Sequence, residues 1–236
     1  MNPNVSSPAR KIQNRFPVPP LENGDHLTRE EFHRRYEAMP ENVKAELIEG
    51  VVFMSSPVRA KNHGEPHSLM MSCLGLYFLS AEGAVKLLDN TTFIIDEKYE
   101  PQPDVVLRID EKFGGKSWVS EEDYLEGSPE LVVEIASSSV SFDLHDKLEI
   151  YEQKGIQEYI VWRVLEDQID WFNLEGGRYV KLAQNKQGVI ESKVFPGLRL
   201  NVKAMVNDDL QRVSSDLQKG LQSKKHKEFI RRIKKQ

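Results

Sequence analysis

Cysteine is all but missing: Cys73 is the only one in 236 residues, so no disulfide framework can form within one chain. No apolar run approaches the ~20 residues a membrane-spanning helix needs. Residues 1–25, rich in Asn, Ser and Pro, lack the apolar core of a secretory signal. These absences make the cytoplasm the expected compartment and exclude a membrane partner. Positive charge is in deficit as well, with 32 Lys and Arg against 37 Asp and Glu for a formal net charge of -5. The chain as a whole does not attract nucleic acid, and any such contact has to come from local basic patches. What is present is ordinary for a globular protein, 39% hydrophobic and 29% charged residues, with length enough for one sizeable core.

Taken in order, residues 1–25 read as a disordered leader broken by Pro17, Pro19 and Pro20. Thr28-Arg29-Glu30-Glu31 matches a capping box, and Phe32 with Tyr36 supplies a helical stripe. Glu46-Leu47-Ile48 and Val51-Val52-Phe53-Met54 flank Glu49-Gly50, a hairpin signal. Residues 66–79 carry Leu69, Met70, Cys73, Leu74, Tyr77 and Phe78 at amphipathic helical spacing. Short strands are predicted over 85–88 and 92–95, then a strand holding Asp104, a short helix over 121–125 and a strand holding Glu134. A helix over 143–154 comes next, stopped by Gly155. Strands over 158–164, 169–174, 179–182 and 189–195 precede a helix whose stripe is Leu210, Val213, Leu217 and Leu221. Strands and helices in alternation with a strand-rich end imply an α/β domain with a central mixed sheet flanked by helices. The expected organisation is a leader over 1–25, one domain over 26–206 and a basic helical C-terminal extension over 207–236.

Two of those strands carry the chemistry. Gln102-Pro103-Asp104-Val105-Val106-Leu107 and Leu131-Val132-Val133-Glu134-Ile135-Ala136 are buried-strand patterns, each interrupted by one carboxylate. A buried unpaired carboxylate is disfavoured by several kcal/mol or loses its charge. Two on neighbouring strands therefore suggest a shared cation, and Mg2+, which takes oxygen ligands and keeps waters for phosphate chemistry, is the natural candidate. Side chains alternate along a strand, so Glu134 shares a face with Ala136. In the next helix Lys147 lies roughly 60° from Leu144, at the border of a stripe formed by Leu144, Leu148 and Tyr151. It can reach the carboxylates because Ala136 is small.

Glu46-Leu47-Ile48-Glu49-Gly50, Gln102-Pro103-Asp104, Val133-Glu134-Ile135 with its trailing serines, Asp143 with Lys147 and Tyr151, and Gly155-Ile156-Gln157-Glu158-Tyr159 stand in a definite order. Together they resemble the bacterial Uma-type family of restriction endonucleases, within the PD-(D/E)XK nuclease superfamily. The similarity runs over residues 28–200. It implies a restriction-endonuclease-like fold and a magnesium-dependent endonuclease that hydrolyses phosphodiester bonds in DNA, with Mn2+ as a substitute metal. Asp104, Glu134 and Lys147 are the catalytic residues so implied, Asp104 and Glu134 holding the metal. The superfamily's lysine two residues after the Glu is replaced here by Ala136, and the role passes to Lys147. Glu46, His67, Gln102, Asp143 and Tyr151 are candidates for support of the site or contact with substrate. Cleavage of both strands of a duplex from one site per chain implies a homodimer.

Each residue also has a plainer reading. Asp104 after Pro103 suits a turn cap, Glu134 and Lys147 suit a structural ion pair, and Lys147 suits a solvated bond to Asp143 at i,i+4. Glu46 in a hairpin suits a solvent-facing position. His63 and His67 make a four-residue pair with zinc-like spacing, but Pro66 lies between them and no cysteine is near. Functional rivals are a non-catalytic nucleic-acid-binding protein and a structural module that keep the fold. The basic C-terminal run divides between a nucleic-acid arm and a docked helix with Phe229, Ile230 and Ile233 turned inward.

Overall fold

The structure is a computed structural model and describes residues 18–40, 42–55, 57–137 and 139–235. The leader expected over 1–25 lies outside the described residues as far as position 17. Beyond it, Leu21 is buried with Phe32, Leu47 and Val52, and Gly24 N donates to Val52 O at 2.8 Å.

Thr28 caps α1 (Arg29–Tyr36), its Oγ1 accepting from Glu31 N at 3.3 Å. The capping box is half formed, because the Glu31 carboxylate turns to Arg34 and Arg35. β1 (Ala45–Ile48) and β2 (Val51–Met54) form the expected hairpin, Ile48 opposite Val51. Glu49 and Gly50 both take positive φ, 54° and 77°, as a two-residue turn matched to strand twist requires. A π-helical turn, Ala60–Gly64, runs directly into α2 (Glu65–Ser80). Next come β3 (Val85–Asp89), β4 (Phe93–Ile94), β5 (Val105–Ile109), β6 (Ser117–Val119), β7 (Leu125–Gly127), β8 (Leu131–Ala136), α3 (Val140–Leu144), α4 (Asp146–Gln153), β9 (Glu158–Arg163), β10 (Gln168–Glu175) and β11 (Arg178–Lys181). β12 (Val189–Glu191), β13 (Arg199–Asn201), α5 (Val202–Val206), α6 (Leu210–Leu221) and α7 (Lys224–Ile233) complete the chain.

The central sheet has the order β11-β10-β9-β8-β5-β3. Only β8 and β9 run parallel, as their connection through α3 and α4 demands, while the other neighbours are antiparallel. Alternation sorts the strand residues between two cores. Val105, Leu107, Leu131, Val133, Ile135 and Ile160 face α2, α6 and α7. Val106, Val132, Ala136, Tyr159 and Val161 face α4 with its Ile150 and Tyr151. Mixed sheet and flanking helices are as the sequence predicts.

Several local expectations need correction, among them the strand over 189–195, of which only Val189–Glu191 forms. The short helix over 121–125 is instead a turn leading to β7, for Asp123 takes φ of 68° and Leu125 is buried in parallel pairing with Phe93. The helix over 143–154 is two helices, broken at His145 with φ -122° and ψ -79°. In α6, Leu210 is 57% exposed and the inward place is taken by Asp216, which Asn201, Arg212 and Lys219 satisfy at 2.7, 2.8 and 2.9 Å.

One buried acid ties the sheet to the segment after β12. Glu158, wholly buried, accepts from Ser192 Oγ and Lys193 N, both at 2.6 Å. Burial raises its carboxyl from 4.5 to about 7, against the pull of those donors. A folded value above the unfolded one means the fold holds the proton more tightly, so this contribution is full below pH 4.5 and is lost as pH rises to about 7. The span corresponds to roughly 3 kcal/mol. Urea melts at pH 5 and pH 8 should show that Glu158→Gln loses less stability across that interval than the unsubstituted protein does. Equal losses would remove Glu158 from the pH response.

Candidate active site

Register brings the two strand carboxylates together. Val105 pairs with Val133 and Val106 with Val132, so one step back along β5 sets Asp104 opposite Glu134. Both lie on the α4 side of the sheet, with Val106 and Val132. Asp104 is held there by its own side chain, Oδ2 accepting from Ile135 N at 2.6 Å. Pro103 before it keeps the chain extended into the strand.

Around Glu134 four other side chains converge from three elements. Lys147 of α4 donates to Glu134 Oε1 at 3.0 Å and to Glu46 Oε1 at 2.9 Å, and lies 3.5 Å from Asp143 Oδ1. Tyr151, one turn on, donates its hydroxyl to Glu134 Oε1 at 3.3 Å. Glu46 of β1 also accepts from Gln102 N at 2.6 Å. Asp143 of α3 accepts from Ser139 Oγ at 2.5 Å. The break at His145 thus leaves Asp143 and Lys147 in contact, although they belong to different helices.

The solvated reading of Lys147 does not hold, since it is 4% exposed. Ile150 and Tyr151 are buried beside it, and Leu144 and Leu148, predicted to form the stripe, are only partly buried. Glu46 does not face solvent as a hairpin residue would; it turns inward to the lysine. Gln102 contributes its backbone N–H, because its side-chain amide is committed to Tyr36 Oη at 2.6 Å and Thr92 Oγ1 at 3.1 Å.

The electrostatics are lopsided. Glu134, Asp143 and Glu46 share one ammonium, Lys147 being the only Lys or Arg within 4.0 Å of them among the described residues. Burial, with Asp143, Asp104 and Glu46 adding to it, pushes Glu134 well above the usual carboxylate range despite Lys147. Burial likewise raises Asp143. Burial alone would lower Lys147, but Glu134, Glu46 and Asp143 outweigh it and hold the ammonium charged.

His63 is the residue the sequence pattern undervalues. Pro66 does not separate it from His67, because a proline in the first turn of α2 sacrifices an N–H that has no partner there anyway. The π-helical turn carries His63 and the first turns of α2 carry His67, the two rings stacked with centroids 5.6 Å apart. His63 donates Nδ1–H to Ile135 O at 3.2 Å and brings Nε2 within 3.3 Å of Asp104 Oδ1. The Asp104 carboxylate raises the imidazole's pKa. His67 Nε2 lies 3.1 Å from Asp89 Oδ1 and 3.3 Å from Asp104 O. The legible signal was the i,i+4 spacing itself, discounted for a proline that this position tolerates.

Among the described residues no three His, Cys, Asp or Glu side chains close up as a ready-made metal cage. The donor set nonetheless suits a hard divalent ion of the magnesium kind, which takes one or two carboxylates and completes its shell with waters and substrate phosphate. Asp104 and Glu134 are two such carboxylates on one face. Asp143 Oδ1 is buried without a hydrogen-bond partner, further sign that negative charge here exceeds what Lys147 neutralises. Asp104 is 13% exposed and Glu46 19% at their side chains, against 5% for Glu134, so the cluster opens on the Asp104 and Glu46 side.

The family model Uma2, described as "Putative restriction endonuclease", matches residues 29–203. The crystal structure of "a putative nuclease belonging to DUF820 from Anabaena variabilis ATCC 29413" is similar with a TM-score of 0.57 at 14% identity, over 74% of this chain and 96% of that one. At that identity the likeness concerns the fold. Comparison with curated proteins finds no match. No helix of the described residues is long and apolar enough to cross a membrane.

Proposed function

The chain belongs to the Uma2 family, whose model spans residues 29–203, and on that premise we propose that it is an endonuclease that hydrolyses phosphodiester bonds in DNA with magnesium. The observation that carries this reading is the meeting of Glu134, Lys147 and Glu46 within 3.0 Å, beside Asp104 on the adjacent strand. Asp104 and Glu134 would hold the metal, Mn2+ serving in place of Mg2+. When bound, such an ion supplies positive charge to the phosphate under attack. Lys147 presents a desolvated ammonium that stabilises charge developing on the phosphoryl oxygens. Glu46, anchored by Gln102 N and the lysine, and Asp143, anchored by Ser139, fix that ammonium in place. Tyr151 orients Glu134. His67, at the rim beside Asp104, is placed to meet substrate. Two chains related by a two-fold axis would bring one site to each strand of a duplex.

A second reading has its own observation. Lys147 already pairs with Glu134, as it would in a structural network or in a nuclease-like binding protein without chemistry. Incubation of the purified protein with supercoiled plasmid separates the two. Nicked and linear DNA should accumulate with Mg2+ and be absent with EDTA, from a protein that light scattering finds dimeric. Intact plasmid at every metal concentration would favour the network.

A further inference from the structure

The family match ends at residue 203, and the C-terminal end of the chain differs from the rest in its charge. Residues 224–236 hold seven Lys and Arg against one acid, Glu228, a formal +6. The other 223 residues therefore carry -11. The segment is not a loose arm. α7 buries His226, Phe229, Ile230 and Ile233 against a core that includes Tyr77, Phe195 and Val213. His226 donates Nδ1–H to Pro196 O at 3.0 Å, and its Nε2 lies 3.1 Å from Ser80 Oγ.

Docking on that face turns every basic side chain outward. Lys224, Lys225, Lys227, Arg231, Arg232, Lys234 and Lys235 are all exposed. At 100° per residue they cover about half the helix circumference. Only two have acidic partners among the described residues, Lys224 with Glu228 at 3.5 Å and Lys234 with Glu82 at 2.9 Å. Five positive charges on α7 and just after it have no acidic partner among the described residues, Arg232 lying over the Phe229 ring at 5.7 Å. Such a surface fits a polyanion. An anionic membrane suits it poorly, since a helix lying in a bilayer interface needs its apolar face, and that face is already buried in the core.

We propose that the outward face of α7 is a docking surface for the phosphate backbone of DNA, away from the bond that is cut; this rests on the nuclease reading above. α2 measures the separation. His67 at its start stands beside Asp104, and Ser80 at its end stands beside His226, thirteen residues or about 20 Å along the axis. The surface holds flanking DNA without reading bases, and so adds affinity rather than catalytic power.

The test uses the full chain with Lys225, Lys227, Arg231, Arg232 and Lys235 all changed to Gln, positions whose exposure leaves the core untouched. Binding to a fluorescent 30-base-pair duplex is measured by anisotropy in EDTA from 50 to 300 mM KCl, beside cleavage kinetics in Mg2+. Five lost phosphate contacts should flatten the slope of log affinity against log salt by about 4 to 5 and weaken binding at 50 mM at least tenfold, by the usual ~0.9 per phosphate. KM should rise with kcat unchanged. A native-like melting temperature with slope and KM as in the unsubstituted protein would overturn the docking surface and leave the nuclease reading standing. Unsubstituted protein that neither binds nor cuts the duplex would overturn both. Light scattering in which the variant alone falls from dimer to monomer, its DNA slope unchanged, would reassign the face to a second copy of the chain.

Discussion

Lys147→Ala should both unfold the protein more easily and abolish cleavage. The side chain is 4% exposed and is the cation shared by Glu46, Glu134 and Asp143. Without it two buried carboxylates face each other uncompensated, a change that typically costs 3–5 kcal/mol at neutral pH. For a chain of this length the melting temperature should fall by about 10 °C. The loss should shrink toward pH 4, because Glu134 and Asp143, already pushed upward by burial, then take protons and need no cation. Adding Ala136→Lys offers a partial remedy, since Ala136 is buried on the same face of β8 as Glu134. A Lys147→Ala protein with native melting temperature and cleavage would contradict both the stabilising and the catalytic role of the lysine.

Glu134→Gln should separate activity from stability in the opposite sense. The amide keeps an oxygen for Lys147 and Tyr151, now at 3.0 and 3.3 Å, but gives up the charge that burial and Asp143, Asp104 and Glu46 oppose. The metal-free protein should be as stable as before or more so, while cleavage falls by about 10³-fold, the scale of losing one preorganised electrostatic element. Asp104→Asn should behave alike, since an amide oxygen can still accept from Ile135 N. Measured side by side, the pair contradicts the account if either variant cuts plasmid at an undiminished rate.

How much of this was legible beforehand depends on the range of the interaction. The alternation in 131–136 already put Glu134 on the face of Ala136, and a helix after it put Lys147 within reach, because both are properties of adjacent residues. Glu46 lies 88 residues before Glu134, and nothing local to its hairpin tells which way it turns. The inward turn comes from Gln102 N and Lys147. The helix break at His145 has no Gly or Pro to announce it. β6 and β7 are three residues each, too short to show a period, and exist through pairing with each other and with β4. For α7 the sequence left arm and docked helix open, and the burial of Phe229, Ile230 and Ile233 decides for the helix while keeping its charge outside.

Binding of a divalent cation by Asp104 and Glu134 together is open to direct measurement without reference to cleavage, by titration of Mg2+ into the purified protein in a calorimeter. The unsubstituted chain should bind the ion in the millimolar range or tighter and melt at a higher temperature in its presence. Asp104→Asn and Glu134→Gln should each lose both responses while folding normally. An unsubstituted protein that shows neither heat nor a melting shift with Mg2+, or two variants that respond as it does, would contradict the shared metal site and leave a buried ion-pair network in its place.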